Sequence, residues 1–225
     1  MTDELRWEAL ESTIAYSCPG FDVIREDVRL PDGTVTDFDY LSEPPAVVIL
    51  PFTTEGEVVV IEEWRHAVDR VSRGIPAGTV EGEEPLEEAA RRELAEETGY
   101  EAERVEHVTS VEPANGVADT VHHYFLARNC EPSEEQNLDV DESIRVDTTS
   151  LERLREEIDN GEIVDGRAIT GVLYYDAFVS DGDGIDENGV DENGVDGNGI
   201  YGIEIEENET DGDEIDGNET DEFGG

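Results

Sequence analysis

The sequence contains no lysine. All 14 of its basic residues are arginines, and they stand against 61 acidic residues, which gives a formal net charge of −47 at pH 7. An acid excess without lysine suggests a protein that works in molar salt, where screening shortens to about 3 Å and largely cancels repulsion between carboxylates. Acidity for solubility alone is the alternative. In either case we expect no nucleic acid duplex and no anionic membrane as a partner.

Cysteines and long apolar runs are also scarce. Cys18 and Cys130 lie far apart and form no Cys-x-x-Cys pair, so neither a disulfide framework nor a zinc site is expected, and a reducing compartment is indicated. No apolar run approaches the about 18 residues that a membrane span needs. The first residues, "MTDELRWEALESTIAYSC", lack a basic segment followed by an apolar one. The sequence therefore predicts a cytoplasmic protein.

The composition changes after Ser180. Residues 181–225 hold 18 acidic residues and no basic one, and a five-residue period, "GIDEN GVDEN GVDGN", begins at Gly184. With one apolar residue per repeat this segment cannot bury a core, so we predict a disordered acidic tail. Its Asp-x-Asn-Gly pieces faintly resemble calcium loops but lack the ligand set that ends in a distant bidentate acid. A role for the tail as a cation buffer or partner-binding segment stays open.

Strand and helix patterns mix along the rest of the chain and predict an α+β body. "FDVIREDVRL" and "TVTDFDYL" predict an antiparallel hairpin within an N-terminal segment, residues 1–45. The main domain is predicted over residues 46–180. It begins with a second hairpin, "AVVILPF" and "EVVVIEEW", continues with strands after residue 100, and ends with helices at "SLERLREEIDNG" and "GRAITGVLYYDAF".

Residues 78–100 hold eight glutamates, yet their spacing predicts a helix. Pro85 suits the first helical position and Gly99 is placed to end the helix, so we predict a helix over residues 85–98. At about 100° per residue, three of the glutamates continue the apolar side of this helix. That side carries Leu86, Ala89, Ala90, Glu93, Glu96 and Glu97.

Carboxylates three and four residues apart repel one another, and burial raises the cost, so we expect a positive group against them. Oxygen ligands without Cys or His indicate Mg²⁺ or Mn²⁺. An arginine network around Arg92 is the alternative, although one guanidinium cannot neutralise three carboxylates. His122 and His123 are expected to have structural roles, because neighbouring side chains on a strand point to opposite faces.

The glutamates of the predicted helix and the residues around them, taken with their spacing, resemble the Nudix box of the Nudix hydrolase family. The matching positions are Gly78, Glu84, Arg92, Glu93, Leu94, Glu96, Glu97 and Gly99. The box is followed by Tyr100 where an aliphatic residue is usual, and this "GY" ending looks like the ADP-ribose pyrophosphatase branch. The similarity extends over residues 20–178, including "EEWRHAV" and "IPAGTVEGEEPLEEAARREL", and leaves the tail outside.

This resemblance implies a Nudix fold, a mixed β-sheet between helices, with the hairpin as an N-terminal extension and the acidic tail after it. It implies hydrolysis of ADP-ribose or a similar nucleoside diphosphate sugar to a nucleoside monophosphate and a sugar phosphate. The cofactor implied is Mg²⁺, with Mn²⁺ as a substitute, because divalent ions can bridge acidic side chains and phosphate oxygens.

The resemblance also assigns roles within the box. Glu93 and Glu97 would be the main metal ligands, with Glu96 joining directly or through water and Ala77 adding its carbonyl oxygen. Arg92 would hold a catalytic glutamate in place. The remaining positions would be structural as much as catalytic: Gly78, Gly82, Glu84 and Gly99.

The general base is expected in the loop "EPSEEQNLDVDESIRV". Glu142, just before "SIRV", is the leading candidate, with Glu135 and Asp139 as rivals. Some family members use a glutamate of the helix itself, which would leave the loop as a lid.

Substrate contacts are expected from Arg65, in "EEWR", and from Pro113, near the place where a proline marks the ADP-ribose branch. Trp64 is expected to be a core or hinge residue. Two departures weaken the assignment to this branch. Gly74 replaces an acid in the "GIPAG" segment, and Thr120 stands where an acid is common.

Two other functions remain open: a house-cleaning nucleoside triphosphate pyrophosphatase, and a Nudix-fold module that binds a nucleotide without cleaving it. Binding modules commonly lose box residues, whereas the ligand set here is complete. Proteins with a similar N-terminal hairpin pair through their N-terminal strands, so the resemblance also implies a homodimer.

Overall fold

The computed structural model describes residues 4–133, 135–140 and 142–180, within one compact unit, Met1–Ser180. Its strands are β1 (Glu8–Cys18), β2 (Phe21–Arg29), β3 (Val35–Ser42), β4 (Ala46–Thr53), β5 (Val58–Arg65), β6 (Arg70–Gly74), β7 (Ala77–Thr79), β8 (Tyr100–Val111), β9 (His122–Pro132) and β10 (Ile144–Thr149). Its helices are α1 (Leu86–Thr98), α2 (Leu151–Asp159) and α3 (Gly166–Tyr174), with a 3-10 turn at His66–Val68 and a π-helical turn at Tyr175–Val179. The predicted acidic tail, residues 181–225, lies outside the described residues and stays a prediction.

The N-terminal strands form their own antiparallel sheet in the order β1-β2-β3. The predicted hairpin is present as β2 and β3, with Arg25 opposite Asp39. β1 adds a third strand that the sequence pattern did not predict. Its side chains are exposed along almost its whole length, so its place is set by pairing with β2, as at Ile14 and Ile24, and not by hydrophobic alternation.

The main sheet has the order β10-β5-β4-β9-β8, with β6 beside β5 and β7 beside β4. β4 and β9 are parallel, beginning with Ala46 opposite His122, while the other pairs are antiparallel. β4 is covered on both faces, which explains why "AVVILPF" is a continuous apolar run.

Two apolar layers enclose this sheet. Val48 and Leu50 of β4 belong to the layer that packs against α2 and α3. Val47 and Ile49, the alternate residues, belong to the layer beneath α1. The helices therefore lie on both faces of a mixed sheet, and the predicted α+β sandwich is confirmed.

Helix α1 lies close to its predicted bounds. It starts at Leu86, because Pro85 is the N-cap residue and not the first helical residue. It ends at Thr98, and the C-cap residue Gly99 adopts the left-handed conformation (φ 74°) and donates its backbone N–H to the Ala95 carbonyl at 2.8 Å. None of the helices in the described ranges is long and apolar enough to cross a membrane.

Candidate active site

The glutamates of α1 divide between two sides of the helix. Glu97 is 2% exposed and Glu93 is 8% exposed, while Glu96 is half-buried. Glu87 and Glu88, on the opposite side, are exposed. The helical-wheel prediction is therefore confirmed for Glu93 and Glu97, which point into the protein beside the apolar residues of the helix.

Arg92 gathers the other carboxylates of the site. Its Nη1 donates to Glu93 Oε1 at 2.8 Å and to Glu96 Oε2 at 2.9 Å. Its Nη2 donates to Glu84 Oε1 at 2.7 Å and to the Thr79 carbonyl at 2.9 Å. The guanidinium thus joins α1 to β7 and to the loop that precedes the helix, and it fixes the direction of Glu93 and Glu96.

The Glu93 carboxylate occupies the space that a side chain at residue 78 would fill. A Cβ atom placed on Gly78 would lie 2.0 Å from Glu93 Cδ and 2.1 Å from Glu93 Oε2. Real Cβ contacts are never this short, so any other residue at this position would displace the carboxylate. The glycine is required here by close approach.

Glu97 is held by the backbone of β7. The Ala77 N–H donates to Glu97 Oε2 at 2.9 Å, entirely within the protein interior. The hydrogen bonds that fix Glu93 and Glu97 use Oε1 of Glu93 and Oε2 of Glu97. Among the described residues, no hydrogen bond uses the second oxygen of either carboxylate.

Burial raises the pKa of Glu93 to about 7 and the pKa of Glu97 to about 8. The charge of Glu142 adds to both shifts, whereas Arg92 opposes the shift at Glu93 and the Ala77 N–H opposes the shift at Glu97. At neutral pH these carboxyl groups hold protons for part of the time unless a cation replaces the proton.

A second group of charged residues lies behind Glu97, and the sequence pattern did not predict most of it. Glu63 on β5 is 7% exposed, and its Oε2 forms an ion pair with Arg65 Nη2 at 2.6 Å, although without hydrogen-bond geometry. Asp165 and Arg167, at the start of α3, face the same region and influence the pKa of Arg65. Glu63 is about 100 residues from Asp165 in sequence, so no local periodicity connects them. Only the "EEWR" motif, which contains Glu63 and Arg65, indicated a functional role for this end of β5.

Burial and the nearby Arg167 lower the pKa of Arg65, and burial raises the pKa of Glu63. Trp64, between them, is 43% exposed on the opposite face of the strand. Of the two roles expected for Trp64, the core role is therefore wrong, because β5 directs Glu63 and Arg65 inward in its place, and the hinge role stays a prediction.

The loop after β9 packs on the end of α1. The Asn137 N–H donates to the Glu96 carbonyl at 3.0 Å. Asp139 and Glu142 then close a turn, in which the Asp139 N–H donates to Glu142 Oε2 at 3.0 Å. The half-buried Glu142 is close enough to raise the pKa of the buried α1 carboxylates, while Glu135 is exposed. The structure thus brings Glu142 to the site, and Glu135 less so.

Pro113 lies elsewhere, in an exposed turn between β8 and β9. That turn binds the end of β3, where the Ser42 hydroxyl donates to Asp119 Oδ2 at 2.8 Å. Thr120 is buried and donates its hydroxyl to the Pro44 carbonyl at 3.0 Å. The geometry connects this turn to the N-terminal sheet, not to the α1 carboxylates.

The two adjacent histidines point to opposite faces of β9, as predicted. His123 Nδ1 lies 2.8 Å from the Ser110 hydroxyl, which in turn lies 3.0 Å from His107 Nε2. His122 lies on the side of Asp165 and Arg167, which influence its pKa. The two rings therefore cannot share one metal ion.

The donor set at α1 fits a hard divalent cation. Glu84, Glu93 and Glu96 contact the Arg92 guanidinium, while Glu97 accepts from the Ala77 N–H, so the alternative of an arginine network around Arg92 leaves more carboxylate charge than one guanidinium can neutralise. Across the described parts of the chain, no three acidic, histidine or cysteine side chains already surround one point at metal-ligand distances. Arg92 Nη1 lies between Glu93 and Glu96, so these two must turn slightly to share an ion.

Comparisons with known proteins agree with this geometry. A family model described as NUDIX domain matches residues 42–168. The ADP-ribose pyrophosphatase of Bacillus subtilis (strain 168) is 36% identical over 170 residues, which cover 73% of this chain and 91% of that protein. The methanol dehydrogenase activator of Bacillus methanolicus is 32% identical over 150 residues, 66% of this chain and 81% of that protein. The crystal structure of an ADP compounds hydrolase matches with a TM-score of 0.70 at 18% identity, covering 80% of this chain and 98% of that chain, which supports the fold.

Proposed function

This chain belongs to the NUDIX domain family, and from that membership we propose that it hydrolyses ADP-ribose or a similar nucleoside diphosphate sugar to a nucleoside monophosphate and a sugar phosphate. The Bacillus subtilis relative supports this substrate class, since the similarity extends over 91% of that protein. The observation that carries the proposal is the pair of buried carboxylates on α1, Glu93 and Glu97, which are costly to ionise without a cation.

The cation would be Mg²⁺, with Mn²⁺ as a substitute. Glu93 and Glu97 would be its main ligands, Glu96 would join directly or through water, and Ala77 would contribute its carbonyl oxygen. When bound, a divalent ion neutralises charge on phosphate oxygens and activates water for attack on phosphorus. The chain prepares for it by keeping Glu93 against Gly78 and Glu97 against the Ala77 N–H.

Arg92 would keep the carboxylates in place while the substrate arrives and leaves. Its bidentate contact with Glu84 anchors the guanidinium to the loop before α1. The hydrogen bonds that Arg92 donates to Glu84, Glu96 and Glu93 raise its pKa against the opposing effect of burial, so Arg92 stays charged. Glu84 is thus a positioning residue, and its own pKa is lowered by the hydrogen bond from Arg92.

Glu142 is the proposed general base. The effect of its charge on the pKa values of Glu93 and Glu97 supports this role, and the hydrogen bond from the Asn137 N–H to the Glu96 carbonyl ties the loop to α1. A base must reach a water beside the phosphate. The rivals Glu135 and Asp139 lie in the same loop, and a helix glutamate such as Glu97, with its raised pKa, is the other alternative.

Arg65 is the proposed diphosphate contact, because its half-buried guanidinium is paired with Glu63 at the end of β5, the charge of Glu97 influences its pKa, and it carries the positive charge that binds a phosphate. Pro113 is proposed as a contact only on the strength of the family resemblance. Its turn packs on β3, so it could reach the substrate of this site only from its margin.

The N-terminal sheet is the proposed dimer surface. Trp7, Ile14, Tyr16 and Val35 are between 47% and 62% exposed, and Trp7 packs edge-on against Phe38 with ring centroids 5.8 Å apart. Exposed aromatic and aliphatic side chains on one small sheet favour association with a second copy. Light scattering in molar KCl should report a dimer, and Ile14→Asp should shift it to monomer.

The deciding experiment incubates the purified protein with Mg²⁺ in molar KCl and a panel of ADP-ribose, other nucleotide sugars, dinucleoside polyphosphates and nucleoside triphosphates. The proposal expects AMP and ribose 5-phosphate from ADP-ribose as the preferred reaction. Preferred release of pyrophosphate from triphosphates would establish the house-cleaning alternative. Tight nucleotide binding with no product from any substrate would establish the binding module.

A further inference from the structure

The N-cap of α3 fixes a half-buried arginine. Asp165 Oδ1 accepts from the backbone N–H groups of Arg167 at 2.9 Å and Ala168 at 3.1 Å, which starts the helix. The same carboxylate accepts from the Arg167 side chain, at 3.4 Å from Nε and 3.0 Å from Nη2. The direction of the Arg167 guanidinium is therefore set by the helix cap.

This helix start lies against the strand pair that leads into the site. A Cβ atom on Gly74 would be in van der Waals contact with Asp165, 3.6 Å from its Cγ. Gly74 is opposite Ile61 in the β5–β6 pair, and Ile61 precedes Glu63 by two residues on the same face of β5. The cap of α3 thus adjoins the buried Glu63.

Charges of alternating sign run from α3 to the active site. Asp165 pairs with Arg167, Arg167 faces Glu63 closely enough for each to influence the pKa of the other, and Glu63 pairs with Arg65 at 2.6 Å. Arg65 is the last member, and the charge of Glu97 raises its pKa. Buried charges are tolerated when each has an opposite neighbour, and removal of one leaves the next uncompensated.

We infer that Glu63 and Arg167 are positioning residues, which hold the Arg65 guanidinium in the orientation that receives the diphosphate of the substrate. The inference rests on the proposed function, because it gives Arg65 its ligand. A free arginine side chain loses rotamer entropy on binding, so a guanidinium that is already held by Glu63 binds an anion more tightly than a mobile one. The α1 carboxylates make this orientation important, since they would otherwise attract Arg65 away from the phosphate.

The test compares Glu63→Gln, Arg167→Met, Arg65→Met and the double variant Glu63→Gln with Arg65→Met. Glu63→Gln should raise KM for ADP-ribose about tenfold and weaken ADP binding in calorimetry by a similar factor, with kcat within about threefold. Arg167→Met should change KM in the same direction. In the Arg65→Met background, Glu63→Gln should add less than about twofold, because its effect acts through Arg65.

The matched control is Glu157→Gln. Glu157 is a residue of α2, and its partner Arg73 lies on the other face of the β5–β6 strand pair. Glu157 pairs with Arg73 of β6 at 3.0 Å and is as buried as Glu63. This variant should lower the melting temperature while KM stays within about twofold of the wild type. It separates a general loss of stability from a loss of orientation at Arg65.

Unchanged KM and unchanged ADP affinity in Glu63→Gln would overturn the inference, as would equal losses with and without Arg65. A fall in kcat alone would also overturn it, because it would place Glu63 at the reacting atoms. The proposed function fails separately, if the wild type releases no nucleoside monophosphate from any nucleotide sugar. The calorimetry with ADP then still decides whether Glu63 acts through Arg65.

Discussion

Two acidic regions of this chain differ in what surrounds the carboxylates. On the N-terminal sheet, Asp39 is exposed and accepts two hydrogen bonds from Arg25 at 2.8 Å, which lower its pKa. On α1, burial raises the pKa of Glu97 to about 8. From composition alone, the carboxylates of both regions would be explained in the same way, as part of the acid excess. The difference teaches that screening and surface pairing explain the sheet, whereas burial makes ionised carboxylates costly on α1, which is why we propose a cation there.

The largest expected difference between the two regions is in turnover. Glu97→Gln should lower kcat with ADP-ribose by about 1,000-fold, because it removes a charge from the proposed metal site. The fold should be retained, since the glutamine carbonyl can still accept from the Ala77 N–H. Asp39→Asn, the matched change on the sheet, should alter kcat by less than about twofold. Steady-state assays of both variants check this, and retained activity in Glu97→Gln would contradict the assigned metal role.

A smaller loss is expected when the space for Glu93 is filled. Gly78→Ala should reduce kcat/KM by about 100-fold, because the new methyl group would lie about 2 Å from the Glu93 carboxylate and displace it. Gly20→Ala, in the turn before β2, has nothing within 4 Å of its Cβ and serves as the control. Equal activity of the two variants would show that the position of Glu93 is unimportant.

The pH dependence of stability should also distinguish the two regions. The folded-state pKa values of Glu93 and Glu97, about 7 and about 8, lie above the ordinary value of 4.5. Their contribution to stability is therefore fully present below about pH 4.5 and is lost as pH rises towards about 8. With EDTA, melting temperature should fall across this range through these groups. Mg²⁺ should restore it most at the upper end.

Glu97→Gln provides the control for that measurement, because it removes one of the two titrating groups. It should reduce both the fall in melting temperature with EDTA and the gain with Mg²⁺. Asp39, whose pKa is lowered, contributes the opposite slope at acid pH, where stability from its pair with Arg25 is lost as pH falls through its folded pKa. If Mg²⁺ raised the melting temperature equally at pH 5 and pH 8, the ligands would not be these two carboxyl groups.

The smallest expected effect concerns salt. Asp39→Asn should shift the melting temperature by less than about 2 °C in molar KCl, because exposed ion pairs are screened there.

The wild type should be destabilised by transfer to 0.1 M salt. The screening length there is about 10 Å, so the acidic side chains that give the net charge of −47 repel one another more strongly. A melting temperature independent of salt would favour the solubility explanation of the acid excess.

Local sequence signals were sufficient for the catalytic helix. Pro85 and Gly99 fixed its ends to within one residue of Leu86–Thr98, and the 3.6-residue period placed Glu93 and Glu97 inward. Both signals are contained within the helix itself. The Nudix resemblance added the chemistry that the period could not provide, and the comparisons confirmed the family.

Signals that depend on distant pairing were not available from the sequence. β1 carries exposed side chains and is a strand only because β2 pairs with it. The approach of Asp165 to Gly74 depends on how α3 packs on β6, and the burial of Glu63 depends on both. Neither periodicity nor a short motif reports such contacts, because each side chain taken alone looks like one more acid in an acidic chain.

The central claim is that the inward carboxylates of α1 bind a divalent cation. Calorimetric titration of Mn²⁺ into the wild type, Glu93→Gln and Glu97→Gln, alone and with a methylene analogue of ADP-ribose, tests it most directly. The account predicts binding by the wild type with release of protons near pH 7, stronger binding with the analogue, and loss of both in the two variants. Absence of Mn²⁺ binding by the wild type, even with the analogue present, would contradict it.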